Sequence, residues 1–261
     1  MAKKIITSLI IISIIGCKET TNTEVSIEEK NVVEIEPSKP EETEIWEPIP
    51  KEVTIENEIP SDAIVLFDGS NLDKWIHVKD STSATWYLNA DGSMTVKDKS
   101  GDIRTKKIFG SVQLHVEWKS PSEVQGENQS RGNSGVFLQG KYEVQVLDNN
   151  NNPTYVNGQV GSIYKQSIPL VKASSPTGEW NRYDIIFHAP EFDSDGKLLK
   201  NANITVLHNG VLVQDNFKIL GSTTYIGSPK YEPHGKEPIV LQDHGDNSRV
   251  SYRNIWVREL D

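Results

Sequence analysis

Three stretches of this 261-residue sequence gather side chains able to move protons. The first runs from Arg131-Gly132-Asn133-Ser134-Gly135 into Tyr142-Glu143-Val144-Gln145-Val146-Leu147-Asp148. Side chains alternate along a strand, so Glu143 and Gln145 share one face while Tyr142, Val144 and Val146 share the other. Strict alternation sends Asp148 to the apolar side, and a β-bulge near Val146 or Leu147 would return it to the face of Glu143. Two carboxyls about 5 to 5.5 Å apart suit retaining glycoside cleavage. The plain alternative is a solvated polar face. The second stretch, His234 to Gly245, sets His234, Gln242, Asp243 and His244 around the apolar run Ile239-Val240-Leu241. A histidine titrates near neutral pH and can act as general base, with Asp243 orienting it or binding a metal. In the third, Ser251 to Val257, Arg253 can contact a sugar, stabilise an oxyanion or pair with a carboxylate. His77 and His115 have no polar constellation around them and are expected at the surface.

The elements that would position these groups read as short strands. Ile64–Phe67, Val112–Lys119, Gly135–Gln139, Tyr142–Leu147, Tyr183–His188, Ile204–Leu207, Val211–Gln214 and Tyr252–Val257 are β-rich. Asn89-Ala90-Asp91-Gly92 joins Thr85–Leu88 to Ser93–Lys97 as a hairpin, and Asn209-Gly210 is a second hairpin turn. No long stretch has helical periodicity. Many short strands at this spacing predict an all-β fold, a two-sheet antiparallel sandwich of the jelly-roll kind.

Composition narrows the function classes. The net charge is −10, which disfavours nucleic-acid binding. The single cysteine, Cys17, excludes an intrachain disulfide and a cysteine-rich zinc site. Lys3 and Lys4 precede a short apolar run that ends in Ile14-Ile15-Gly16-Cys17. That run is too short to span a bilayer comfortably and ends as a lipobox does. It resembles bacterial lipoprotein signal peptides, which implies cleavage before Cys17, lipidation there and an extracytoplasmic, membrane-anchored protein, periplasmic or at the cell surface. Residues 18–60 hold thirteen glutamates, four lysines and no Asp or Arg, so most of the acidity lies in what reads as a solvated tether. Residues 61–261 are then the folded domain.

Taken in order, the motifs of that domain resemble a family of 3-keto-disaccharide hydrolases. They are Phe67-Asp68-Gly69-Ser70-Asn71-Leu72-Asp73-Lys74-Trp75, Gly132 to Leu138, Tyr142 to Asp148, Gly178-Glu179-Trp180-Asn181, His208-Asn209-Gly210, Leu241 to Gly245 and Arg253 to Val257. The resemblance implies a concanavalin A-like jelly roll with a carbohydrate site on its concave face, and a glycoside or oligosaccharide substrate. It also implies a reaction: a C3 ketone acidifies C2–H, a base removes that proton, and the enolate expels the C1 substituent before water adds. Glu143, Asp148 and His244 are the catalytic candidates, with His244 or Glu143 as base and Asp148 or His234 as acid or metal ligand. Arg131, Asn133, Gln145, His234, Gln242 and Arg253 are the substrate-binding candidates, with Arg131, Arg253 or a divalent metal (calcium, manganese or zinc) at the enolate. Two other readings stay open: a conventional retaining glycosidase and a non-catalytic carbohydrate-binding module.

Overall fold

The computed structural model describes residues 38–260. The lipobox, Cys17 and the tether up to residue 37 lie outside the described residues. The chain divides into two units after Lys51. In the first, residues 38–51 carry one 3-10 turn, Pro40–Thr43. No helix among the described residues is long and apolar enough to cross a membrane.

The second unit is built from strands. A small hairpin, β1 (Ile55–Glu56) and β2 (Ile59–Pro60), lies within the stretch that reads as tether. There follow β3 (Ile64–Phe67), β4 (Trp75–His77), β5 (Tyr87–Leu88), β6 (Met94–Thr95), β7 (Ile103–Phe109), β8 (Val112–Lys119), β9 (Ser134–Leu138) and β10 (Tyr142–Val146). The remainder are β11 (Asn181–His188), β12 (Glu191–Phe192), β13 (Leu198–Lys200), β14 (Asn203–His208), β15 (Val211–Lys218), β16 (Glu237–Leu241) and β17 (Ser251–Glu259). One sheet has the order β10-β9-β16-β7-β4. The other runs β15-β14-β11-β8-β17-β6-β5, with β3 also paired to β17. Every strand pairing is antiparallel.

Alternation makes the sandwich. Val112, Leu114, Val116 and Trp118 of β8 and Tyr183, Ile185 and Phe187 of β11 are buried in the same core as Tyr142, Val144 and Val146 of β10. Each such side chain withdrawn from water stabilises the fold by roughly 1.5–3 kcal/mol. The expected strands form with small changes of boundary. The β1–β2 hairpin and strands β4, β7, β12 and β13 are additions. Strand β7 hides from a pattern reading because Lys106, Lys107 and Ile108 are exposed in succession. It is held by the hydrogen bond from the Ile239 amide to Thr105 Oγ1, at 3.1 Å, beside a register shift around Pro238. His77 and His115, both expected at the surface, are buried.

Candidate active site

Strands β9, β10 and β16 turn one set of residues into the core and the other to a cavity. Val136, Val144, Ile239 and Leu241 are core residues. Asn133, Phe137, Glu143, Gln145 and Gln242 line an open cavity of about 290 Å³, completed by Tyr164, Thr223, Tyr225 and His244 from the loops. Strand β10 keeps unbroken register with β9, pairing Glu143 with Phe137 and Gln145 with Gly135. Its other edge is covered by residues 161–164: the Gln145 amide donates to Ser162 O at 3.0 Å and the Tyr164 amide to Glu143 O at 3.3 Å. That covering segment sets Tyr164 beside Glu143.

Glu143 is buried, and its carboxyl lies over Gly135. A Cβ at position 135 would stand 2.6 Å from Glu143 Oε1 and 2.7 Å from the Phe137 ring, so only glycine leaves room. Among the described residues no group donates a hydrogen bond to this carboxyl; the backbone amide of Glu143 is the part that is tied, to Thr223 Oγ1 at 3.1 Å. Burial, and then the charge of nearby Asp102, push its pKa up to about 8. The acid is therefore largely protonated at neutral pH.

His244 arrives on the loop after β16. Its Nδ1 is 2.8 Å from Asp246 Oδ2. A carboxylate acceptor there fixes the proton on Nδ1 and leaves the Nε2 lone pair free to accept one. The loop is cross-braced to the segment before β7. The Asp243 amide donates to Asp102 Oδ1 at 2.9 Å, and the Gly101 amide donates to Asp243 Oδ2 at 2.9 Å. Asp243 thus braces the loop, and Asp246 is the orienting carboxylate. Burial raises the pKa of Asp102. Neither Asp102 nor Asp246 stands in a pattern that marks it in the sequence; the fold alone brings them here.

The amides hold the floor. Gln145 Nε2 donates to Asn133 Oδ1 at 3.2 Å, and Asn133 Nδ2 donates to Gln129 O at 2.6 Å. The Gln242 backbone continues the β16–β9 pairing, its amide donating to Gly135 O at 3.1 Å. Its carbonyl accepts from Ser134 Oγ at 2.6 Å, and Ser134 accepts from the core hydroxyl of Tyr252 at 2.6 Å. Gln145 Oε1 and Gln242 Oε1 are buried without a hydrogen-bond partner. Buried acceptors rarely stay empty, so two such atoms beside a cavity suit the hydroxyls of a polar ligand.

Four of the nine expected residues lie elsewhere. The bulge expected after Val146 is absent. Strand β10 ends there, the Asp148 amide donates to Arg131 O at 3.1 Å, and the carboxylate turns to Arg131 Nε at 2.8 Å and Thr177 Oγ1 at 2.9 Å. Arg131 and Asp148 line a separate cavity of about 10 Å³, too small for a sugar. Strand β17 does carry a bulge, between Arg253 and Trp256. It lets Arg253 Nε and Asn254 Nδ2 both reach Glu117, each at 2.6 Å, on the outer face of the larger sheet. His234 accepts or donates at Tyr142 OH, 2.8 Å away, within an aromatic cluster with Phe192 and Tyr142. The described residues bring no three His, Cys, Asp or Glu side chains together to hold a metal ion.

Comparison with known proteins adds the family. The profile described as a 3-keto-alpha-glucoside-1,2-lyase-like domain matches residues 62–258. A crystal structure of a candidate glycosyl hydrolase from Parabacteroides distasonis is 53% identical, with a TM-score of 0.82, covering 85% of this chain and 97% of that one. A second candidate glycosyl hydrolase from the same organism is 21% identical, with a TM-score of 0.55, covering 77% of this chain and 94% of that one, and shares the fold. No functionally curated protein matches the chain. With the profile spanning the sandwich and a relative of this identity along most of its length, the chain belongs to the 3-keto-alpha-glucoside-1,2-lyase-like domain family and is carbohydrate-active.

Proposed function

We propose that the protein cleaves 3-keto glucosides or 3-keto disaccharides by proton abstraction at C2, elimination across C1–C2 and hydration. The observation that carries this reading is the pairing, in one cavity, of a carboxyl held protonated by burial with an imidazole whose Nδ1 is engaged by a carboxylate. His244 Nε2 takes the proton from C2, and its electron pair enters the enolate formed with the C3 carbonyl. That oxygen becomes negative and is met by amide donors; the Gln242 side chain, which makes no hydrogen bond among the described residues, is the group available for it. The carbonyl then re-forms, the C1–C2 double bond closes and the C1–O bond breaks, while Glu143 gives its proton to the leaving oxygen. Water adding across C1–C2 completes a net hydrolysis. Asp246 keeps the imidazole in the base-competent tautomer.

A retaining glycosidase asks for two carboxyls facing each other across the sugar. Among the described residues Glu143 is the one carboxyl lining this cavity, and Asp148 is engaged by Arg131 and Thr177, which favours the elimination chemistry. The N-terminal lipobox supports an enzyme anchored through Cys17 outside the cytoplasm. Turnover of a 3-keto glucoside beside its unoxidised parent, with and without EDTA, tests the reading. Cleavage of the keto form alone is expected. Equal cleavage of both would restore the two-carboxylate mechanism, no turnover of either would favour a binding module, and EDTA sensitivity would add a metal.

A further inference from the structure

The outer wall of the cavity differs in chemistry from its floor. Tyr164 and Tyr225 line it, and the Tyr164 hydroxyl is 2.6 Å from that of Tyr155. Lys165 sits among the three rings, its Nζ 4.2 Å from the Tyr225 centroid and 5.6 and 5.7 Å from those of Tyr155 and Tyr164. The same ammonium donates to Tyr225 O at 2.7 Å, tying the 223–226 loop to the 155–165 segment. Thr223, two residues before Tyr225, is fixed by the Glu143 amide. The wall is therefore anchored to the strand that carries the buried acid. Yet Tyr225 is 72% exposed and Ile226 84% exposed. An aromatic ring held in place at a cavity wall and left in water is a surface awaiting a partner.

We infer that this wall is the leaving-group subsite and that it takes a planar aromatic aglycone. The inference rests on the reading of the cavity as a glycoside site. The partnerless acceptors, Gln145 Oε1 and Gln242 Oε1, are in the floor, where the hydroxyls of the reacting sugar belong. On the wall the hydroxyls of Tyr155 and Tyr164 already bond each other, and the lysine already bonds a carbonyl. A second sugar would find few partners for its hydroxyls there. An aryl group needs none: it covers the exposed ring of Tyr225, and stacked aromatic pairs gain beyond the area they bury.

Calorimetric binding of phenyl and methyl 1-thio-α-D-glucosides to the full chain tests this. Neither probe carries a C3 ketone or an oxygen leaving group, so neither is consumed by elimination or by ordinary glycoside hydrolysis. The phenyl probe should bind roughly tenfold tighter than the methyl probe. Tyr225→Ala should remove most of that preference while leaving the methyl affinity within about twofold, and Tyr225→Phe should keep it. Equal affinities in the unaltered protein, a preference that survives Tyr225→Ala, or no binding of the phenyl probe at millimolar concentration would each overturn the subsite. Failure of the function reading shows separately, as absent turnover of 3-keto glucosides.

Discussion

A carboxyl group buried without a donor is a poor anion, and that is the state of Glu143. Its pKa is raised from 4.5 to about 8, so the folded protein binds this proton more tightly than the unfolded chain does. The stability it contributes is full below about pH 4.5 and is lost as pH rises through about 8. Glu143→Gln should therefore be more stable than the unaltered protein at pH 9, by up to a few kcal/mol, and near-equal to it at pH 4, as thermal unfolding across that range would read. The same substitution should lower kcat by about a hundredfold or more, and the alkaline limb of the parent's pH–rate profile should fall near pH 8. Asp246→Asn tests the positioning role. Losing the carboxylate frees the imidazole to take the other tautomer, so kcat should drop by about ten- to a hundredfold with a shifted acidic limb and a nearly unchanged KM. An unshifted profile would remove Asp246 from the mechanism. Gly135→Ala should abolish turnover by driving a methyl into Glu143 and the Phe137 ring, which steady-state kinetics on the folded variant would show.

At the scale of elements, the two long central strands of the larger sheet serve stability on their outer face. The bulge in β17 sets Arg253 and Asn254 on Glu117, while Trp256 stacks on His115 with ring centroids 5.1 Å apart. Burial opposes a charge on His115, but Asp184, 2.6 Å from its Nδ1, and Glu117 outweigh that and hold its pKa at about 9. His115 thus contributes stability that is complete below its unfolded value near 6.5 and is lost as pH rises through about 9. Glu117 of the same network holds in the other direction: its pKa is lowered to about 2, so its contribution is full above about pH 4.5 and is lost as pH falls through about 2. Arg253→Ala should lower unfolding free energy by about 1–2 kcal/mol and leave kcat/KM unchanged, because it acts on Glu117 and not in the cavity. A tenfold loss of kcat/KM at unchanged stability would return Arg253 to the site. The strand motif around Glu143 was legible for its alternation, and β10 forms as that alternation requires. The position of Asp148 was not, because a single residue past a strand end follows tertiary partners, here Arg131 and Thr177, and no longer the pleat.

At the scale of the whole molecule, the lipobox and the sandwich are separate predictions. Palmitate fed to a native host should label the protein at Cys17, and Cys17→Ala should release it from the membrane fraction. Unlabelled protein would take away the anchor. Among the described residues the buried hydrophobic core runs from Leu66 to Val257.

The sequence by itself determined the all-β class, most of the strand set and the carbohydrate-active family, because strand alternation and hairpin turns are local and the family motifs recur in order. It also determined that Glu143, Gln145, Asn133, Gln242 and His244 belong to the two segments that build the cavity. Only the tertiary structure decided which polar residues meet. His234 serves the aromatic cluster around Tyr142, Arg253 the outer face and Arg131 with Asp148 a separate crevice, while Asp246 and Asp102 support the His244 loop from places no pattern marks. The physical reason is that a pleat fixes which face a residue takes, whereas the end of a strand, a bulge and a loop take their direction from the distant partners that satisfy their hydrogen bonds.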